Sequence, residues 1–174
     1  DHTSRFAYYA SLSATRTDIG LMTPERRILH DNALGGGGFT SLIFNATPND
    51  QLRFVASARG DFFQIPNTMD QQAAGFRDAQ RERDIFGNFS WIHTAGSGLL
   101  FTVAPFFHWN RAAYDGSARL FGDSGTPADA PPTPVDHRDS TYEGGLASLA
   151  VTRGRHNARF GLYGFAQQDE ARFG

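Results

Sequence analysis

The sequence predicts an all-β protein: an antiparallel up-and-down meander of about seven long strands, forming part of a transmembrane β-barrel. Three observations predict it. Apolar and polar residues alternate with period two over stretches of ten to sixteen residues, well beyond the usual strand of about five or six. The connections alternate between very short and long, which puts tight turns on one rim and loops on the other. Composition agrees, since 19 Gly and 16 Phe among 174 residues suit aromatic strand faces and close backbone approaches.

The first strand is expected over Ser4–Ile19, with Phe6, Tyr8, Ala10, Leu12 and Ala14 on one face and Tyr9, Ser11, Ser13 and Thr15 on the other. A long loop, 20–37, follows. The second strand, Gly38–Thr47, sets Leu42, Phe44 and Ala46 against Ser41 and Asn45, with Phe39 and Ile43 interrupting the polar side. Pro48-Asn49-Asp50 then turns the chain, because Pro presets φ and Asn and Asp tolerate left-handed backbone.

The third strand, Gln51–Ile65, alternates most cleanly. Leu52, Phe54, Ala56, Ala58, Gly60 and Phe62 face one way, and Arg53, Ser57, Arg59 and Asp61 the other, until Pro66 stops it. Residues 67–83 read as a second long loop with room for a short surface helix, which Gly75 weakens.

A long hairpin comes next, Asp84–Ala95 and Leu99–Tyr114. Pairing Ala95 with Leu99 leaves the three-residue loop Gly96-Ser97-Gly98. That register sets Trp91 opposite Val103 and Ile85 opposite Trp109, so the apolar faces coincide. Pro105 lacks a ladder donor and predicts a bulge or local break. The Gly/Pro-rich stretch 115–139 forms the third long loop. Strands at Ser140–Thr152 and Ala158–Glu170 complete the set, with Gly145, Ala147, Leu149 and Val151, then Phe160, Leu162, Gly164 and Ala166, on the apolar side.

The strand lengths match a bilayer. Leu52 to Phe62, or Leu99 to Trp109, is ten residues, about 33 Å of strand. Tilted by about 45°, that covers roughly 23 Å, against an apolar band of about 25 Å in outer-membrane barrels. Phe62, Trp91, Trp109 and Tyr114 lie near strand ends, as interfacial aromatics do. Arg53, Ser57, Arg59, Asp61, Asn88, Ser90, His108 and Asn110 would face the lumen, toward ligand or plug. The alternative is a soluble all-β binding module, such as a carbohydrate-binding sandwich whose core is the aromatic face.

Other chemistry finds little support. A net charge of −2 supplies no basic footprint for nucleic acid. No Cys is present, which removes thiolate and disulfide chemistry. No run of 18 apolar residues exists for a transmembrane helix. No Gly-x-Ser-x-Gly elbow occurs, and Gly35–Gly38 has no Lys-Ser/Thr after it and precedes a strand, so it is no phosphate loop. It is expected where a loop enters the wall. Asp136-His137-Arg138-Asp139 is the nearest approach to a metal site and reads as a solvated loop. No enzyme activity, cofactor or metal is expected.

Four stretches carry a resemblance: Ala104–Asp115, Arg53–Asp61, Arg81–Asp84 leading into Phe89-Ser90-Trp91, and Thr141–Gly145. In pattern the chain resembles the barrel region of TonB-dependent outer-membrane receptors. The resemblance implies a place in the outer membrane of a Gram-negative cell and a 22-stranded, plugged barrel for energy-coupled uptake of a scarce ligand, such as a siderophore or oligosaccharide. It implies outer-membrane lipid, a plug domain and the TonB complex as partners, the last two lying outside this chain. The 174 residues are then expected to be a partial barrel domain, an excised piece of wall that transports nothing alone. Two open sheet edges should make it behave poorly in water.

Overall fold

The computed structural model describes residues 5–24, 26–117 and 133–174. Seven strands form one antiparallel sheet in chain order: β1 (Phe6–Thr17), β2 (Ala33–Asn45), β3 (Asp50–Gln64), β4 (Ala79–Ala95), β5 (Leu99–Asp115), β6 (Val135–Arg153) and β7 (His156–Phe173). One short helix, α1 (Met69–Ala73), lies between β3 and β4. The all-β meander read from the sequence is the observed fold. The sheet is open, with β1 and β7 as its edges.

The hairpin register is the expected one: Ala95 faces Leu99, Trp91 faces Val103 and Ile85 faces Trp109. Gly96 takes φ 61°, the left-handed conformation that the tight turn requires. Pairing between β4 and β5 lapses after Asn88–Phe106 and resumes at Trp91–Val103 without a change of register. Pro105 therefore breaks the ladder locally and makes no bulge. Asn88 Nδ2 donates to the Pro105 carbonyl at 3.0 Å beside the gap.

Three strands start about five residues earlier than the alternation indicates. β2 begins at Ala33, β4 at Ala79 and β6 at Val135, rather than at 38, 84 and 140. Gly35–Gly38 thus lies inside β2, not where a loop joins it, and pairs with Thr15 to Leu12 on one side and with Asp61 to Ala58 on the other. The connections shrink to 18–32, 65–78 and 116–134, all at one end of the strands. Turns 46–49, 96–98 and 154–155 occupy the other end. Part of the third connection, 118–132, lies outside the described residues.

In the second connection, Thr68 caps α1 in a capping box with Gln71, and Gly75 at φ 81° ends it. The connection is tied to its neighbours. Asn67 N–H donates to the Leu29 carbonyl, and Gln64 N–H to the Asn32 carbonyl. The Asp78 carboxylate accepts from the Tyr114 hydroxyl and from Ser117 N and Oγ. Here lies the one packed region: among the described residues only Asp31, Ala33, Asn67, Asp78, Ala79 and Ala113 are buried.

The rest of the sheet is a single layer with no core of its own. On one face the pairing aligns an apolar stretch in every strand: Phe6–Ala14, Leu34–Phe44, Leu52–Phe62, Ile85–Trp91, Leu99–Trp109, Gly145–Val151 and Ala158–Ala166, alternate residues in each. No formally charged side chain lies on that face within those limits; Glu143 stands at the upper limit on β6, between Phe107 and Ala166. Phe54, Phe89, Trp91, Phe107, Phe160 and Leu162 are all exposed there.

From β3 to β7 this band runs obliquely to the rows of paired residues. The row through Leu52 reaches β7 at Leu162, and the row through Phe62 reaches it at Arg172. On β7 the apolar stretch instead runs from Ala158 to Ala166, four residues lower at one limit and six lower at the other. A mean drift of about five residues over four strand steps, at ~3.3 Å per residue against ~4.8 Å between strands, is a slope of about 40°.

Candidate functional site

The face opposite the band is mixed polar and aromatic. All eight predicted lumen residues lie on it, because Arg53, Ser57, Arg59 and Asp61 share one parity of β3 and their rows pass through Asn88, Ser90, His108 and Asn110 or their near neighbours. Arg53 stands opposite Ser90, and Ser57 opposite Phe86, which itself faces His108. Arg59 stands opposite Asp84, which faces Asn110.

Three local groupings organise this face. Arg59 holds Asp61 through two hydrogen bonds of 2.6 and 2.7 Å. They lie beside β2 where Gly35 and Gly37 leave the backbone bare: a Cβ at Gly35 would stand 2.0 Å from Asp61 Oδ1, and one at Gly37 3.2 Å from Arg59 Cβ. The glycine run is therefore a seat for an ion pair, a role that only the cross-strand register reveals.

The second grouping centres on His108. Its Nε2 lies 2.6 Å from Asp84 Oδ2, its ring stacks on Tyr142 at 5.7 Å, and Phe86 meets it edge-on at 6.0 Å. Gln167 continues the row, its amide donating to the Tyr142 hydroxyl at 3.3 Å. The third grouping is aromatic. Phe106 on β5 stacks on Tyr163 on β7 at 6.1 Å and 11°, across Gly144 on the intervening β6, and Tyr163 touches Phe165. Gly144 has no room for a side chain, since a Cβ would stand 2.4 Å from the Gly164 carbonyl oxygen and 2.7 Å from Phe165 Cβ.

Asn88 and Ser90 join at 3.0 Å, and Arg53 Nε donates to Gln51 Oε1 at 2.6 Å. Asn110 stands between Asp84 and Ser140 in its row. Tyr142, Tyr163, Phe165 and Gln167 were not among the predicted residues. Their signal was available: they occupy the alternate positions of the last two strands, whose apolar parity alone was read.

Of the four predicted interfacial aromatics, Phe62, Trp91 and Trp109 lie on the band face and Tyr114 does not. Five residues separate Tyr114 from Trp109, an odd number, so it points to the mixed face, where its hydroxyl bonds Asp78. At the short-turn end, Trp91 Nε1 and His93 Nδ1 meet Asp50 Oδ1 at 2.9 and 2.7 Å, below the band. Hydrogen bonds from Thr47, His93 and Trp91 hold the Asp50 carboxyl down at about 2.

The Asp136–Asp139 stretch does not converge on a metal. His137 meets Asp115 at 2.8 Å, Asp136 binds Arg138 on the opposite face, and no cluster of three His, Asp or Glu suited to a metal occurs among the described residues. What the mixed face offers is a broad surface of flat rings, amides and paired charges, able to stack and hydrogen-bond with a ligand or a protein surface. Comparison with protein-family models, curated proteins and solved structures finds no match.

Proposed function

We propose that this chain is a stretch of wall and outer loops of an outer-membrane β-barrel in a Gram-negative cell, of the TonB-dependent receptor kind, with a transport role and no catalytic one. The observation that carries this reading is the oblique band. Strands of outer-membrane barrels tilt by about 35–45° to the membrane normal, so a bilayer must cross their register rows at that slope. The band crosses from β3 to β7 at about 40°. A sandwich core would instead need a second sheet over that face, and all seven strands belong to one sheet.

In this reading the band faces lipid and the mixed face lines the lumen. The Arg59–Asp61, Asp84–His108–Tyr142 and Phe106–Tyr163 groupings would meet a plug domain or a passing small ligand, a siderophore, oligosaccharide or similar. The connections 18–32, 65–78 and 116–134 face outside the cell in this reading. TonB acts through the plug, beyond this chain.

The absence of cysteine makes site-directed spin labelling direct. Labels at Phe89, Phe101 and Phe107 should be reached by oxygen dissolved in the bilayer and shielded from a water-soluble nickel relaxant. Labels at Ser57 and His108 should show the reverse. Dry, relaxant-free environments at Phe89 and Phe107 would sink the proposal.

A further inference from the structure

The band face changes character abruptly above Ile85 and Trp109. The next residues of that parity are Arg83 and Arg111, directly opposite each other across β4 and β5. Like charges in that relation repel and destabilise a sheet unless a counter-charge stands between them. Arg111 has Asp139 at 3.9 Å. Arg81, one position higher, is engaged by Asp115 at 2.6 Å and lies over the Phe62 ring. Arg83 is exposed and has no acidic partner among the described residues.

Beside Arg83 the sheet is bare. Its row continues into Gly60 and Gly36, where an added Cβ would meet nothing closer than 3.9 and 3.5 Å. Leu34, Phe62, Arg81 and Arg83 wall this shallow hollow, and Asp61 and Glu82, of the opposite strand parity, also border it. Beneath it, without a gap, lies the exposed apolar band. An occupant needs a compact anion to separate the two guanidiniums and a hydrocarbon part to continue down the band.

We infer that Arg83 and Arg111 form a site for the phosphate of an anionic phospholipid or other phosphorylated amphiphile, with the glycine floor admitting the headgroup. The inference rests on the lipid-facing reading of the band and adds a headgroup chemistry to it. Guanidinium suits the role because its planar fork binds phosphate oxygens two at a time. A free phosphate would find the charge but not the hydrocarbon surface.

The test uses the 174-residue chain with Trp91→Phe, so that Trp109 reports alone. Flotation with phosphatidylcholine vesicles measures insertion. Trp109 fluorescence in detergent then follows titration with short-chain phosphatidic acid, phosphatidylcholine of the same chain length, and inorganic phosphate. Phosphatidic acid should saturate the signal, and Arg83→Gln should weaken it about five-fold, as expected of one cation at a charged membrane surface. Arg83→Lys should recover part of the loss, and Arg138→Gln, on the other face, should change nothing. Equal affinity in wild type and Arg83→Gln, equal binding of phosphatidylcholine, or inorganic phosphate matching phosphatidic acid overturns the headgroup site. Failure to float with neutral vesicles overturns the lipid-facing reading as well, while insertion without headgroup preference removes the site alone.

Discussion

The two faces of the sheet are made by the same strands, yet they differ in what a side chain there does. On the band face, Phe54, Phe89, Phe107 and Phe160 stand exposed, with no second layer above them among the described residues. On the mixed face, side chains satisfy one another: Arg59 with Asp61, His108 with Asp84, Ser90 with Asn88. The difference teaches that one face is finished by its own residues and the other by its surroundings. Substitutions should therefore have opposite consequences on the two faces.

The sharpest contrast is charge insertion at the middle of the band. Phe89→Arg is expected to destabilise the bilayer-inserted chain by about 2–4 kcal/mol, the cost of a lipid-facing Arg near the midplane. Ser57→Arg, on the mixed face, is expected to cost less than about 0.5 kcal/mol. Urea unfolding from vesicles measures both, and equal costs would erase the distinction between the faces.

A smaller effect belongs to the packed rim. Asp78→Ala leaves the Tyr114 hydroxyl and both Ser117 donors without their acceptor and should cost about 1–3 kcal/mol. Amide exchange should rise in 65–78 while the β5–β6 ladder stays protected. Uniform loss of protection would mean that the rim and the sheet are one cooperative unit.

Pro105→Val should restore a ladder donor and close the gap between β4 and β5, adding about 0.5–1.5 kcal/mol. Slower amide exchange near Phe89 and Ser90 is the readout, and unchanged exchange would show that the break has another cause. The smallest change expected is Arg59→Ala. Its ion pair is half exposed on the Arg side, so little or no shift should appear in denaturant midpoints. A larger loss would mean that the mixed face is less solvated than its exposure indicates.

The hairpin from Asp84 to Tyr114 was readable almost completely, including its register. Alternation reports a contrast between two environments, and between Ile85 and Trp109 that contrast is at its strongest. Gly96-Ser97-Gly98 then leaves little choice of turn. The strand starts failed for the same physical reason. Above the band both faces are polar, so Ala79-Gln80-Arg81-Glu82-Arg83 and Val135-Asp136-His137-Arg138-Asp139 lose the period-two signature while keeping the strand backbone. Gly35–Gly38 fails differently, since four residues without side chains cannot alternate at all.

The mixed face was legible as a face but not as groupings. Arg59 and Asp61 are neighbours in sequence and could have been paired on sight. The stack of Phe106 on Tyr163 could not, because 57 positions separate them and only the successive registers through β6, with Gly144 between, bring the rings together.

The outer edge of β7 bears on assembly. All eighteen of its residues pair with β6, and the opposite side of the strand pairs with nothing among the described residues. In hydrocarbon each backbone group left without a partner costs several kcal/mol. On the lipid-facing reading, entry into a bilayer would come with or after the docking of another strand along β7, which a second copy of this chain can supply. On that reading the free edge couples joining to insertion.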